Sequence, residues 1–163
     1  MFPDCDNPTV GFTTDVTPVI EMYRQEMEKC ESMINSLLEE GYGISDEWGA
    51  VNARVDRYTA LAAEADRLNG ISSQALDAYE NAEADDPEKE RLLQELCEAG
   101  NAFDAALYDE NGNNVYTELE QARRDAADCE NRAETNLQNL ETYRGYYESA
   151  AQNYYYYMSL FGC

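Results

Sequence analysis

The chain is predicted to be all-α: an elongated helical bundle with heptad-type seams, an extended N-terminal arm and a long C-terminal helix. Apolar residues recur three and four positions apart through most of its 163 residues, the spacing of a helical stripe and of a coiled-coil seam. Residues 114–163 contain no proline and only Gly145 and Gly162 as glycines, so nothing in them forces a break. No segment alternates apolar and polar residues as a half-buried strand would.

Residues 1–16 read as the arm. Pro3, Pro8 and Gly11 prevent a helix, while Phe2, Val10 and Phe12 give it anchors. The first helix is expected to start with Thr17 as N-cap and Pro18 at the first helical position, with Glu21 in the first turn. Its stripe is Ile20, Tyr23, Met27, Cys30, Ile34 and Leu37, and Gly41 with Gly43 is its predicted stop. A second helix follows from Ser45, with Asp46 and Glu47 near its positive end and the stripe Trp48, Val51, Val55, Tyr58, Ala62, Ala65 and Leu68. Asn69-Gly70 is its predicted end. A short third helix is expected around Leu76 and Tyr79, closed by the corner Asp85-Asp86-Pro87. A fourth would be capped by Asp86 and carry Leu93, Leu96, Phe103 and Leu107 inward. Residues 17–110 thus form an acidic helical bundle, and residues 111–163 a long C-terminal helix with an aromatic end. The seam expected in that last helix runs Val115, Leu119, Ala122, Ala126, Cys129, Ala133, then Leu137, Leu140, Tyr143, Tyr147, Ala151, Tyr154, Met158 and Phe161. Unbroken, it would be roughly 70 Å long at about 1.5 Å per residue.

Charge excludes several functions. Thirty-four acidic residues face eleven basic ones, a net −23, and histidine is absent. Direct binding to a nucleic-acid backbone needs clustered cations, and an anionic membrane surface needs them too. Without histidine there is no histidine-based triad, zinc site or ordinary proton shuttle, and no Glu-x-x-His pair to hold two metals in a bundle. Neither a phosphate-cradling G-x-x-x-x-G-K-[ST] nor a dinucleotide-binding G-x-G-x-x-G occurs. No catalytic residues are assigned, and the chain is expected not to be an enzyme. Met1-Phe2-Pro3-Asp4 has neither a basic start nor an apolar run, so no leader is expected, nor any membrane span. Five cysteines without short spacings do not make a secreted disulfide framework. Cys30 and Cys129 lie on apolar helical faces and are expected to be reduced and buried.

One local motif suggests a ligand. Asp109, Asn111 and Asn113 stand at the first, third and fifth positions of a segment whose twelfth is Glu120. This segment resembles the twelve-residue calcium loop of EF-hand proteins. The resemblance covers those twelve residues, has Asn114 where the sharp turn takes glycine, and implies calcium as the cation held. Otherwise no cofactor is expected.

Two surfaces point to partners. Seven of the thirteen tyrosines fall in residues 143–163, four of them consecutive, and four consecutive side chains on a helix point all round its axis. Tyr154, Tyr155, Tyr156, Tyr157, Met158 and Phe161 are therefore the expected contact with other protein subunits, because aromatics are enriched at such contacts. Tyr154, Met158 and Phe161 would face the chain's own helices, and Tyr155, Tyr156 and Tyr157 the partner. The function this implies is a structural or assembly subunit of a larger particle, a bacteriophage or other virion protein, homo-oligomeric and assembled in the host cytoplasm. The alternative rests on residues 77–110, where twelve acids face Lys89 and Arg91. There Asp85, Asp86, Glu88 and Glu90 would imitate phosphates and block the basic channel of a host DNA-binding defence enzyme.

Overall fold

A computed structural model describes residues 16–161, apart from the side chain of Phe161. The arm with Phe2, Val10 and Phe12 lies outside the described residues, as do Cys5 and Cys163. Three helices, α1 (Thr17–Asn81), α2 (Lys89–Ala106) and α3 (Val115–Phe161), account for 89% of what is described. The all-α class is thus correct. Among the described residues the only strand-like feature is an isolated bridge between Tyr108 and Asn114.

The largest departure from expectation is α1, one helix where three were predicted. Gly41, Gly43, Asn69 and Gly70 are all interior to it. The reason lies in the spacing. Counting on from Leu37, Gly41 and then Ile44 continue the three-four alternation to Trp48, so one heptad seam runs from Ile20 to Ala65. Ile44 is only 2% exposed. A helical glycine costs about 1 kcal/mol relative to alanine, too little to stop a helix whose packed face continues on both sides. At the start, the Val16 carbonyl accepts from the N–H groups of Val19 and Ile20 at 3.0 Å each, so Val16 rather than Thr17 holds the cap position.

Asp85-Asp86-Pro87 does form the corner after α1. There Asp86 Oδ1 accepts the Glu88 N–H at 2.8 Å, and α2 begins at Lys89, slightly later than expected. Leu93 points outward, contrary to prediction, and is 43% exposed. Its half-buried stripe is Leu92, Leu96, Ala99, Phe103 and Ala106, spaced four and three in alternation, with Lys89 and Gly100 half-buried as well. Leu92 therefore has the register, and Leu93 is its neighbour. No residue of α2 is fully buried.

In α3 the same arithmetic corrects a second position. Leu137 is 65% exposed, while Asn136 is 5% exposed. Positions 115, 119, 122, 126, 129, 133, 136, 140, 143, 147, 150, 154 and 157 alternate four and three without a slip. Asn136, Ala150 and Tyr157 thus occupy seam places that hydrophobicity alone gave to Leu137, Ala151 and Met158. Cys129 is buried as expected, whereas Cys30 is only half-buried; both are free thiols, as is the exposed Cys97.

The helices divide between two compact units. One lies within Met1–Ser45 and Asn131–Cys163, the other is Asp46–Glu130. In the second, residues 46–81 of α1 run antiparallel to the start of α3. Its core is Tyr58, Ala62, Ala65, Val115 and Leu119, with Val55, Leu61, Phe103 and Ala106 against it. Arg54 bridges the two helices by donating to Asp125 at 2.9 Å. The first unit is a hairpin-like pair, Thr17–Ser45 of α1 against residues 131–161 of α3. Leu37, Ile44, Asn136, Leu140 and Ala150 are its buried residues.

Candidate assembly surface

The two-helix unit is held at one end by rings and near the other by a polar contact. Tyr23 stacks on Tyr157, with centroids 5.8 Å apart and planes 17° from parallel. Toward the other end Asn136 Nδ2 donates to the Leu37 carbonyl at 2.9 Å. Gly41 makes room there: a Cβ on it would lie 3.0 Å from Asn136 Oδ1. The two residues that look out of place in their seams meet each other. Neither was found from the sequence, although strict counting of threes and fours reaches both.

Two helices side by side cannot enclose rings that point all round one of them. Tyr154, Tyr157 and Met158 are half-buried, but Tyr155 is 65% exposed and Tyr156 57%. The division within the tyrosine run is therefore close to the expected one, with a single correction. Tyr157 belongs to the fold through its stack on Tyr23, not to the outward set. The exposed rings are braced edge-on by inward neighbours, Tyr155 by Tyr154 at 5.3 Å and Tyr156 by Tyr157 at 5.4 Å. Bracing costs such rings little further entropy on meeting a partner. Tyr146 and Leu160, not among the expected contacts, are exposed on the same helix. The side chain of Phe161 lies outside the described residues.

The segment resembling a calcium loop folds as a tight turn. Asp109 Oδ1 accepts the N–H groups of Asn111 and Asn113, both at 2.9 Å, and Asp109 Oδ2 accepts the Tyr58 hydroxyl at 2.8 Å. These bonds, that from the Asn113 N–H foremost, hold the Asp109 carboxyl down at about 2. The bond to Asp109 in turn pushes the Tyr58 hydroxyl up. The left-handed residue is Gly112, at φ +81°, not the sixth-position Asn114. Asn114 caps α3 instead, its Oδ1 accepting the Tyr116 N–H at 3.0 Å. Glu120 is paired with Arg124. The carboxylates of Asp109 and Glu120 are thus engaged within the chain, as are the N–H groups of Asn111 and Asn113, and among the described residues no group of three or more acids or cysteines is placed to hold a metal ion.

The acidic block is also partly spoken for. Asp86 ties the corner before α2, and Glu88 pairs with Arg91. Asp85 and Glu90 are exposed. No helix of the described residues is long and apolar enough to cross a membrane. Comparisons with protein-family models, with curated proteins and with solved structures find no match.

Proposed function

We propose that the chain is a non-enzymatic structural or assembly subunit of a larger particle, of the kind that builds bacteriophages and other virions. It works through helix packing and through contacts at the end of α3 with other subunits, copies of itself included. One observation supports this above the rest: Tyr155 and Tyr156, braced by inward-facing rings, remain more than half exposed at the end of a two-helix unit. Large braced aromatics in water are the composition of a contact rather than of a free surface. Covering them contributes on the order of several kcal/mol before association costs, at about 25 cal/mol per Å². A chain without histidine lacks the usual triads and proton shuttles, and the reading therefore rests on contacts.

The test is Tyr155→Ser combined with Tyr156→Ser, leaving Tyr157 in place. Assembly, followed by light scattering, is expected to fall, while helix content by circular dichroism stays at the wild-type level. Unchanged assembly would remove the basis for the proposal, and collapse of the helical signal would make these rings part of the fold. By contrast, Tyr157→Ser is expected to lower the melting temperature, because it breaks the stack on Tyr23.

A further inference from the structure

The two-helix unit has two broad sides, and one of them is self-complementary. On that side α1 presents Met22, Glu26, Lys29 and Met33, spaced four, three and four; both methionines are exposed, at 44% and 40%. At about 100° per residue these four fall on one narrow strip. On the same side α3 presents Tyr146, Ser149, Asn153, Tyr156 and Leu160, spaced three, four, three and four. The strips border a single open groove of about 360 Å³, to which Glu26, Lys29, Tyr146, Ser149 and Asn153 all contribute.

The α1 strip has the same spacing in either direction, with a methionine at each end, and the α3 strip is centred on Asn153 to within about one residue. Turned about a point between Met27 and Glu28, the α1 strip sets Met22 against Met33 and Glu26 against Lys29, each twice. Turned about Asn153, the α3 strip sets Tyr146 against Leu160, Ser149 beside Tyr156, and Asn153 against itself. The stack of Tyr23 on Tyr157 fixes the register between the helices and brings the two centres to the same level, within about one residue. A single two-fold axis therefore satisfies both strips at once, which is what an isologous contact requires.

Charge favours the same partner. In a chain of net −23, a copy is repelled from most of the surface. This side is balanced: Glu26 with Lys29, and further along, around a second groove, Glu40 with Arg132. Lys29 is one of only two lysines, and none of the ion pairs among the described residues involves it.

We infer that a second copy of this chain docks on this side through a two-fold axis at Asn153, so that two hairpins close into an antiparallel four-helix bundle. The bundle pairs Glu26 of each copy with Lys29 of the other and covers the methionines and Tyr156. Tyr155 faces away from this contact and stays free for another subunit.

The inference rests on the assembly reading and is tested apart from it by mixing two charge variants. Glu26→Lys and Lys29→Glu each set like charges across the axis, so each alone is expected to lose the dimer seen by light scattering. Mixed in equal amounts they are expected to recover it as a mixed dimer with one copy of each, visible by native mass spectrometry. Because no single chain carries both changes, repair within one helix cannot account for recovery. Asn153→Cys is expected to form a disulfide to its own copy, identified by peptide mapping. If the wild type associates and both variants still do, or the mixture fails to recover, this face is wrong while the assembly reading stands. A wild type that never associates overturns both.

Discussion

Asn136 is the residue on which the two-helix unit turns. It sits at a seam position, donates to Leu37, and is accommodated by a glycine on the opposite helix. A polar side chain there contributes modestly to stability and more to register, because only one alignment satisfies it. Asn136→Ala is expected to cost about 1–3 kcal/mol, and Gly41→Ala is also expected to destabilise, since the asparagine is held by its own hydrogen bond. Thermal unfolding checks both; a gain in melting temperature from Gly41→Ala would contradict the close contact. Asp109 offers a pH test. Its carboxyl titrates at about 2 in the fold against an ordinary 3.8. The folded state therefore favours the charged form: the stabilisation is complete above the unfolded value and is lost as pH falls through the folded one. Asp109→Asn is expected to lower the melting temperature at neutral pH, with the gap to wild type closing from about pH 4 to about pH 2. A gap that does not change with pH would show that the turn depends on something other than this charge.

At the scale of the helices, continuity is the main finding. Gly43 and Gly70 lie inside α1 with open space where a Cβ would go, and neither has a positive φ. Replacing either with alanine is expected to stabilise by about 0.5–1 kcal/mol, measured by denaturant titration. If these glycines instead ended helices in left-handed conformations, alanine would destabilise. The helical class, the corner at Asp86 and the inward set Val51, Tyr58, Leu119 and Leu140 were legible in the sequence because apolar spacing reports the buried face directly. What misled was the reading of each residue by its own preference. Glycine was taken as a stop and Asn136 was passed over, while Leu137 and Leu93 were taken as core because they are leucines. The seam overrode all four, since tertiary packing outweighs a local preference of about 1 kcal/mol. In the loop after α2, Asp109, the first position of the calcium-loop spacing, binds backbone amides instead, a choice the spacing does not reveal. At the aromatic end the helical angle separated Tyr155 and Tyr156 from Tyr154, and the same unbroken three-four count that reaches Asn136 also reaches Tyr157; only its partner Tyr23 is beyond the spacing.

For the molecule as a whole, the proposed association with copies of itself has to overcome the charge of a chain with thirty-four acids and eleven bases. Like charge opposes association at long range, and salt shortens that range to about 10 Å at 0.1 M. Contact is left to places where charge cancels and apolar side chains are exposed, as around Glu26 and Lys29. Added salt is therefore expected to strengthen association, whereas contacts made chiefly of ion pairs would weaken. Sedimentation velocity of the wild-type chain, over rising concentration at low and at moderate salt, tests the central claim most directly. The expected result is a mass that climbs from the 18.5 kDa of one chain to at least its double, sooner at moderate salt. A single 18.5 kDa species at every concentration and both salts would contradict it.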